Sequence, residues 1–241
     1  MKRYFYILSL CILLVSNTKI ILAHREDYTD ETLVYQTVEK GEIEPEYWLD
    51  VGRREDNDPL PSKIDFVRHN LALEYGMTEQ WMIDGRFTIE DEEHENIQFD
   101  SGRVETRYRF FEEGQQPVDM AISGEINVER DEENDWVPGI EPRLILSKDF
   151  QELNVTLNLP LEIIVDPIDT EFVPSVGIRY NATDFVRIGV ESRYHVDSHV
   201  GSVFPQVWFA FPHDITIKLG YSFGFDHNNE DFARIVWEVG F

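Results

Sequence analysis

From about residue 42 to the C-terminus the chain repeats with a period of two. Ile215, Ile217, Leu219, Tyr221, Phe223 and Phe225 fall on one face of an extended strand, and Thr216, Lys218, Gly220, Ser222 and Gly224 on the other. Leu153, Val155, Leu157, Leu159, Leu161 and Ile163 alternate in the same way with Asn154, Thr156, Asn158 and Glu162, as do Val118, Met120, Ile122, Ile126 and Val128 with Asp119, Ser123, Glu125, Asn127 and Glu129. Successive side chains of a strand point to opposite faces, so each segment has one apolar and one wet face. The pattern predicts twelve strands, near 42–51, 63–75, 79–90, 97–111, 116–129, 136–147, 152–164, 172–181, 184–195, 203–212, 214–225 and 231–241.

All twelve have ten or more residues. Soluble strands typically have about five or six, whereas crossing a bilayer at a tilt takes about nine to eleven. The connections alternate as well. Gly76-Met77-Thr78, Glu113-Gly114-Gln115, Lys148-Asp149-Phe150, Asn181-Ala182-Thr183 and Pro212-His213 read as tight turns, while 52–62, 91–96, 130–135, 165–171, 196–202 and 226–230 read as mostly longer and more acidic loops. Short turns at one end and longer loops at the other predict an all-β fold, a closed antiparallel up-and-down transmembrane β-barrel of about twelve strands. Closure pairs every backbone group between strands, which is how so polar a chain can live in lipid. An even strand count puts both termini on the periplasmic side.

Composition narrows the function classes. The 241 residues carry 21 Lys+Arg against 47 Asp+Glu, a formal charge of -26, which excludes a nucleic-acid partner because a phosphate polyanion would be repelled. With 42% hydrophobic and 13% aromatic residues the chain is no disordered acidic tail, and it has no long uncharged apolar run beyond its N-terminus that would make a helical membrane protein. The first 23 residues read as an export signal, with Lys2 and Arg3 ahead of the apolar run Tyr6–Val15 and a cleavage site after Ala23. Losing Lys2, Arg3 and Lys19 leaves 18 basic against 47 acidic groups, a net of -29. Cys11, the only cysteine, leaves with the signal, so no disulfide or thiol chemistry is expected. Residues 24–41 form an N-terminal extension whose place is open among a periplasmic segment, a luminal plug and part of the first strand, and 42–241 form the barrel.

The chain ends Ile235-Val236-Trp237-Glu238-Val239-Gly240-Phe241, with Ile235, Trp237, Val239 and Phe241 on the apolar face. In this the sequence resembles bacterial outer-membrane β-barrel proteins, whose terminal strand closes on Phe. The resemblance implies an outer-membrane location, with lipid and lipopolysaccharide and the barrel-assembly machinery as partners, the last reading those four residues as an assembly signal. More loosely, Glu39-Lys40-Gly41-Glu42 and Leu73-Glu74-Tyr75-Gly76-Met77-Thr78-Glu79 are similar to the family of outer-membrane transporters linked to phenol degradation. That similarity implies only a transport role.

The wet faces assign the lumen. Arg68, Glu74, Asp84, Arg86, Arg103, Glu105, Arg107, Arg109, Glu141, Arg143, Arg179, Arg187, Glu191, Arg193, Lys218, Arg234 and Glu238 all fall on inward positions. Eleven of these seventeen are basic, so the acids are expected mainly in loops and rims. One reading is a basic stripe along a narrow channel or transporter that selects small anions or the carboxylates of organic acids. The other is Arg–Glu pairing that braces a non-conducting structural or adhesive barrel. The size of a twelve-stranded barrel fits both.

Other chemistry is thinner. The acidic loop runs Glu90–Glu93 with Glu95, Asp131–Glu133 with Asp135, and Asp226 with Glu230 and Asp231 lack the spaced ligands and glycine of an EF-hand. They read as solvated, with divalent cations bridging them to lipopolysaccharide phosphates as the alternative; His94 and His227 add no recognised spacing, and no defined metal site or cofactor is assigned. A lipid hydrolase is the alternative from another class, with Ser198 and His195 in Tyr194-His195-Val196-Asp197-Ser198-His199 as its nucleophile and base. No catalytic residue is otherwise expected, and the sequons at Asn154 and Asn181 read as chance matches.

Overall fold

The computed structural model describes residues 27–30, 32–53, 64–92, 96–130, 135–225 and 230–241. The expected export signal, His94, His227 and half of the residues in the acidic loop runs lie outside these residues. Within them the chain is all β, with strands Ile43–Arg53 (β1), Phe66–Thr78 (β2), Trp81–Glu92 (β3), Asn96–Arg109 (β4), Asp119–Arg130 (β5), Trp136–Phe150 (β6), Leu153–Val165 (β7), Ile168–Phe172 (β8), Ser175–Asn181 (β9), Val186–His195 (β10), Val200–Phe211 (β11), Ile215–Gly224 (β12) and Asp231–Val239 (β13).

Every strand pairs antiparallel with its neighbours, and β1 pairs β13 with Tyr47 opposite Trp237 and Leu49 opposite Ile235, which closes the sheet. Phe241 extends that seam, since its N–H and C=O both bond to Ile43. The thirteen ranges make twelve barrel strands. β8 and β9 keep one register against β7, Leu161 facing Phe172 and Leu157 facing Val176, and are interrupted only at Val173-Pro174, where proline has no N–H to give the ladder. Near its tip this hairpin is still flanked by β6, with Gly139 opposite Ile164, and by the end of β10.

Two of the predicted turns fall later than expected. Gly76–Thr78 lies inside β2 and Lys148–Phe150 inside β6, so the reversals come at Glu79-Gln80 and Gln151-Glu152. Gly76 stays in the ladder because the residues just ahead of β1 carry the β1–β2 pairing one step further: its C=O accepts from Gly41 and its N–H donates to Glu42. The expected loop at 165–171 is largely strand, and the described residues of the one at 91–96 belong to β3 and β4.

The alternation has its physical outlet in the two faces of the wall. Leu71, Leu73, Ile83, Val104, Ile122, Ile126, Ile188 and Leu219 are exposed on the outside, where lipid takes the place of water. Aromatics bound this band at both ends: Trp81, Tyr108, Phe150, Tyr180, Phe211 and Phe241 toward the termini, and Phe99, Trp136, Tyr194 and Phe225 at the opposite rim. Paired aromatic girdles of this kind sit at the two lipid–water interfaces. The two-residue turns at Glu79-Gln80 and Gln151-Glu152 lie at the end that carries the termini, which an even strand count makes periplasmic.

Residues 27–41 occupy the lumen. Tyr28, Leu33, Val34, Tyr35 and Val38 are buried there, Tyr35 and Leu33 against Ala121 and Ile145, and Tyr28 and Val34 against Trp208. The segment enters beside the periplasmic turn at Glu79, rises to mid-height at Thr32, and folds back at a turn in which the Tyr28 N–H bonds to the Thr32 C=O. Of the three placements open at the sequence level, the plug is the one adopted. Gly41, at φ 83°, turns the chain from the plug into β1, a backbone conformation that side-chain-bearing residues rarely take.

Candidate functional site: the lumen and its plug

An extended segment inside a barrel has no ladder of its own, so its backbone groups need partners from the wall. The wall supplies them from inward side chains. Asn158 accepts from the Leu33 N–H (2.9 Å) and donates to its C=O (2.8 Å), and Gln206 accepts from the Thr29 N–H (2.8 Å). Glu191 accepts from the N–H groups of Asp30 (2.5 Å) and Thr32 (3.0 Å). Arg107 holds Asp27 in a two-pronged pair at 3.0 and 3.0 Å and donates to the carbonyls of Val34 and Gln36. Lys218 reaches the Asp27 carbonyl (2.8 Å) and pairs with Glu238, and Arg234 donates to the Thr29 carbonyl (2.9 Å). Tyr28 donates to Asn154 (3.0 Å), and its ring lies flat enough on Gly177 that a Cβ there would sit 2.5 Å from it. Burial pushes the phenols of Tyr28 and Tyr35 well above their ordinary value, so both stay neutral.

The seventeen residues predicted on inward positions all sit on the inner face, where they divide by task. Arg107, Glu191, Lys218 and Arg234 grip the plug. Others pair along the wall: Arg143 with Glu141 (2.5 Å), Arg68 with Glu90 (2.7 Å) and Glu230 (3.1 Å), Arg86 with Glu46 (3.4 Å), and Arg103 with Glu125 (3.4 Å). Glu105 touches Arg107 at 3.2 Å. Glu74, Asp84 and Arg179 are buried and Arg187 half-buried on the same surface, and Arg109 sits at the periplasmic rim against Glu112 and the Glu79 carbonyl.

The expected charge balance is corrected. Among the described residues, fourteen acidic and six basic side chains are fully buried, so acids are not confined to loops and rims. The miss traces to β1, where Glu44, Glu46, Trp48 and Asp50 share one parity and face inward, and to Asp27 and Asp30 on the plug. Trp48 is the other residue the sequence reading overlooked: the Arg86 and Arg234 guanidiniums lie 3.7 and 4.5 Å from its ring, while Asp50 takes Arg234 at 2.6 Å. The β1 alternation alone would have revealed both.

Above the plug the lumen opens into a vestibule toward the extracellular rim. It comprises two adjoining cavities of about 460 and 270 Å³ that share Arg103, Asn127, Glu129 and Arg193. The smaller is ringed by five arginines, Arg68, Arg86, Arg103, Arg193 and Arg234. Asp30 of the plug forms its floor, 3.6 Å from Arg234 and 4.0 Å from Arg193.

The Ser198–His195 pair is not assembled as a nucleophile and base. Ser198 Oγ donates to Glu171 Oε1 at 2.8 Å, and His195 Nδ1 meets the other oxygen of the same carboxylate at 2.9 Å. Both groups are committed to Glu171 rather than to each other, whereas base catalysis requires the hydroxyl to donate to the imidazole. Partial burial pushes the Glu171 carboxyl up, but the hydrogen bonds from His195 and Ser198 outweigh it and hold it below its usual range.

A closed antiparallel barrel with an apolar outer band, aromatic girdles and a charged interior defines the class: a bacterial outer-membrane β-barrel. Solved structures of the same fold include the KdgM porin (TM-score 0.61, 9% identity, 82% of this chain and 99% of that one) and the NanC porin (0.57, 10%, 81% and 98%). Outer membrane phospholipase A from Escherichia coli is similar at a TM-score of 0.51 and 10% identity over 85% of this chain and 93% of its own. At such identities the likeness is one of fold. No family model and no curated protein matches the sequence, so the looser similarity to transporters linked to phenol degradation gains no support. Its two segments, 39–42 and 73–79, do meet in space, through the backbone bonds at Gly76.

Proposed function

We propose that this protein is a plugged outer-membrane channel for small solutes that carry carboxylates. The observation that carries the reading is Asp30. Its carboxylate stands on the vestibule floor between Arg193 and Arg234, where an incoming anionic solute would find its own partners. Guanidinium pairs bind carboxylates well in a partly dry site, so a solute carboxylate competes directly with Asp30. Displacing it loosens the plug at its turn and opens the path below. A barrel built only for bracing has no use for a lumen wide enough to hold a doubled-back peptide. A KdgM porin, similar in fold, has been solved in complex with oligogalacturonate, a carboxylated sugar chain, which supports the reading.

The same reading gives the outer surface its partners. Outer-membrane lipid and lipopolysaccharide contact the apolar band, and the barrel-assembly machinery reads Ile235, Trp237, Val239 and Phe241 on the seam strand. No catalytic step is assigned to Ser198 or His195.

The plug makes the reading testable with two cysteines, because the chain beyond the export signal has none of its own. Thr32 Oγ1 and Ser175 Oγ are 3.0 Å apart, so Thr32→Cys with Ser175→Cys places two thiols in reach of each other. In planar bilayers the oxidised double variant is expected to stay closed whatever the solute, and to open on reduction when a uronate or other sugar acid is added. Equal current from the oxidised and reduced forms would reject the plug as the gate. Silence under all conditions in a folded barrel would favour the bracing reading.

A further inference from the structure

The extracellular rim carries a second cluster that neither the plug nor the vestibule floor uses. Glu162 of β7 stands directly opposite Glu171 of β8, and His195 ends β10 beside them. The register makes this a designed neighbourhood. Val196 N–H bonds to the Phe172 C=O and Tyr194 N–H to the Pro174 C=O, so β10 continues alongside the hairpin and His195 falls diagonal to Glu171. One ligand atom from each of the three side chains lies within 4.8 Å of the other two, and none of the three is fully buried or fully exposed.

Two like charges directly opposite each other on an antiparallel pair are unfavourable. Arg103, Arg130, Arg143 and Arg193 line the same cavity, and Arg143 is taken up by Glu141. Glu162 and His195 also line the larger cavity, so space for an ion and its water exists on the inner side.

We propose that Glu162, Glu171 and His195 bind a divalent transition-metal ion of the zinc type at the channel mouth. Two carboxylate oxygens and one imidazole nitrogen suit zinc, which takes four ligands at about 2.0–2.2 Å from such groups. Calcium prefers six to eight oxygens and gains little from an imidazole. Ligand atoms on one tetrahedral ion sit about 3.3 Å apart, so binding requires the three side chains to draw in from within 4.8 Å of one another. Water fills the fourth position on the cavity side. The bound ion ties the β7–β8 hairpin to β10 and relieves the repulsion between the two glutamates.

The test uses the full barrel refolded in detergent, stripped with a chelator and titrated calorimetrically with zinc chloride and, separately, calcium chloride. Heat-modifiable gel migration verifies that each variant is folded. One equivalent of zinc is expected to bind, with calcium much weaker. His195→Ala should weaken zinc by about 10-fold or more, and Glu162→Gln with Glu171→Gln should abolish saturable binding. The absence of saturable zinc binding in the folded wild type would overturn the site. So would undiminished binding in Glu171→Gln combined with His195→Ala, because the ion would then be held by other rim carboxylates.

Discussion

Arg107 shows how one side chain decides the state of the lumen. It is 1% exposed and serves Asp27, Glu105 and two plug carbonyls at once. Arg107→Ala leaves Asp27 and Glu105 buried without their cation, and breaking a buried pair in this way costs about 3–5 kcal/mol. The strands do not depend on it, so the loss should fall on the plug: protease should cut residues 27–41 in the variant while the heat-modifiable folded band persists. Gly177 gives an independent check through shape rather than charge. Gly177→Val puts a side chain where the Tyr28 ring lies, and should likewise raise channel activity in bilayers with no change in lumen charge. A resistant, silent barrel in both variants would mean that the plug is held elsewhere.

At the scale of the strand, β12 separates lipid from lumen within two residues. Leu219 faces outward and is exposed, whereas Lys218 is buried between the Asp27 carbonyl and Glu238. Leu219→Arg near mid-membrane should cost about 2–4 kcal/mol of folding stability. The sequence alone suggests that Lys218→Gln is harmless. With its contacts known, Lys218→Gln is expected to keep the strand inserted but loosen the plug and strand the Glu238 carboxylate, so unfolding midpoint and conductance should respond separately. The seam strand carries the assembly expectation. Phe241→Ser keeps the backbone bonds to Ile43 and removes only the lipid-facing ring, and a reduced yield of folded barrel is the expected outcome. Deleting Phe241 also removes those bonds and should be worse.

For the whole molecule, the proposed function puts selectivity in the vestibule rather than in a continuous basic stripe. Changing Arg107 and Arg187 together to Glu cannot isolate selectivity, because Arg107 is a plug anchor. Arg103 and Arg193, shared by both cavities, are the better probe. In a barrel already opened by Gly177→Val, replacing both with Gln should shift the reversal potential in a salt gradient toward cations, since fixed charges at a poorly screened constriction set the local potential. The lumen's surplus of buried carboxylates makes this shift large once the two guanidiniums are gone.

The strands, their faces and the closed barrel were legible in the sequence because period-two alternation is a local property. Each of the twelve predicted strands is present, and Leu219, Tyr221 and Phe223 lie outside as their spacing requires. Long strands with one apolar face have a single stable solution in lipid, which is closure. The plug was not legible, since Tyr28–Val38 carries no periodicity of its own and takes its shape from Asn158, Gln206, Glu191 and Arg107 on four different strands. Nor was the pairing of the charges: a wet face says that Arg234 points inward, but only register and closure set it against Asp50, 184 residues away. Glu162, Glu171 and His195 meet for the same reason. Chain separation hides such neighbours, and the hydrogen-bond register of the barrel brings them together.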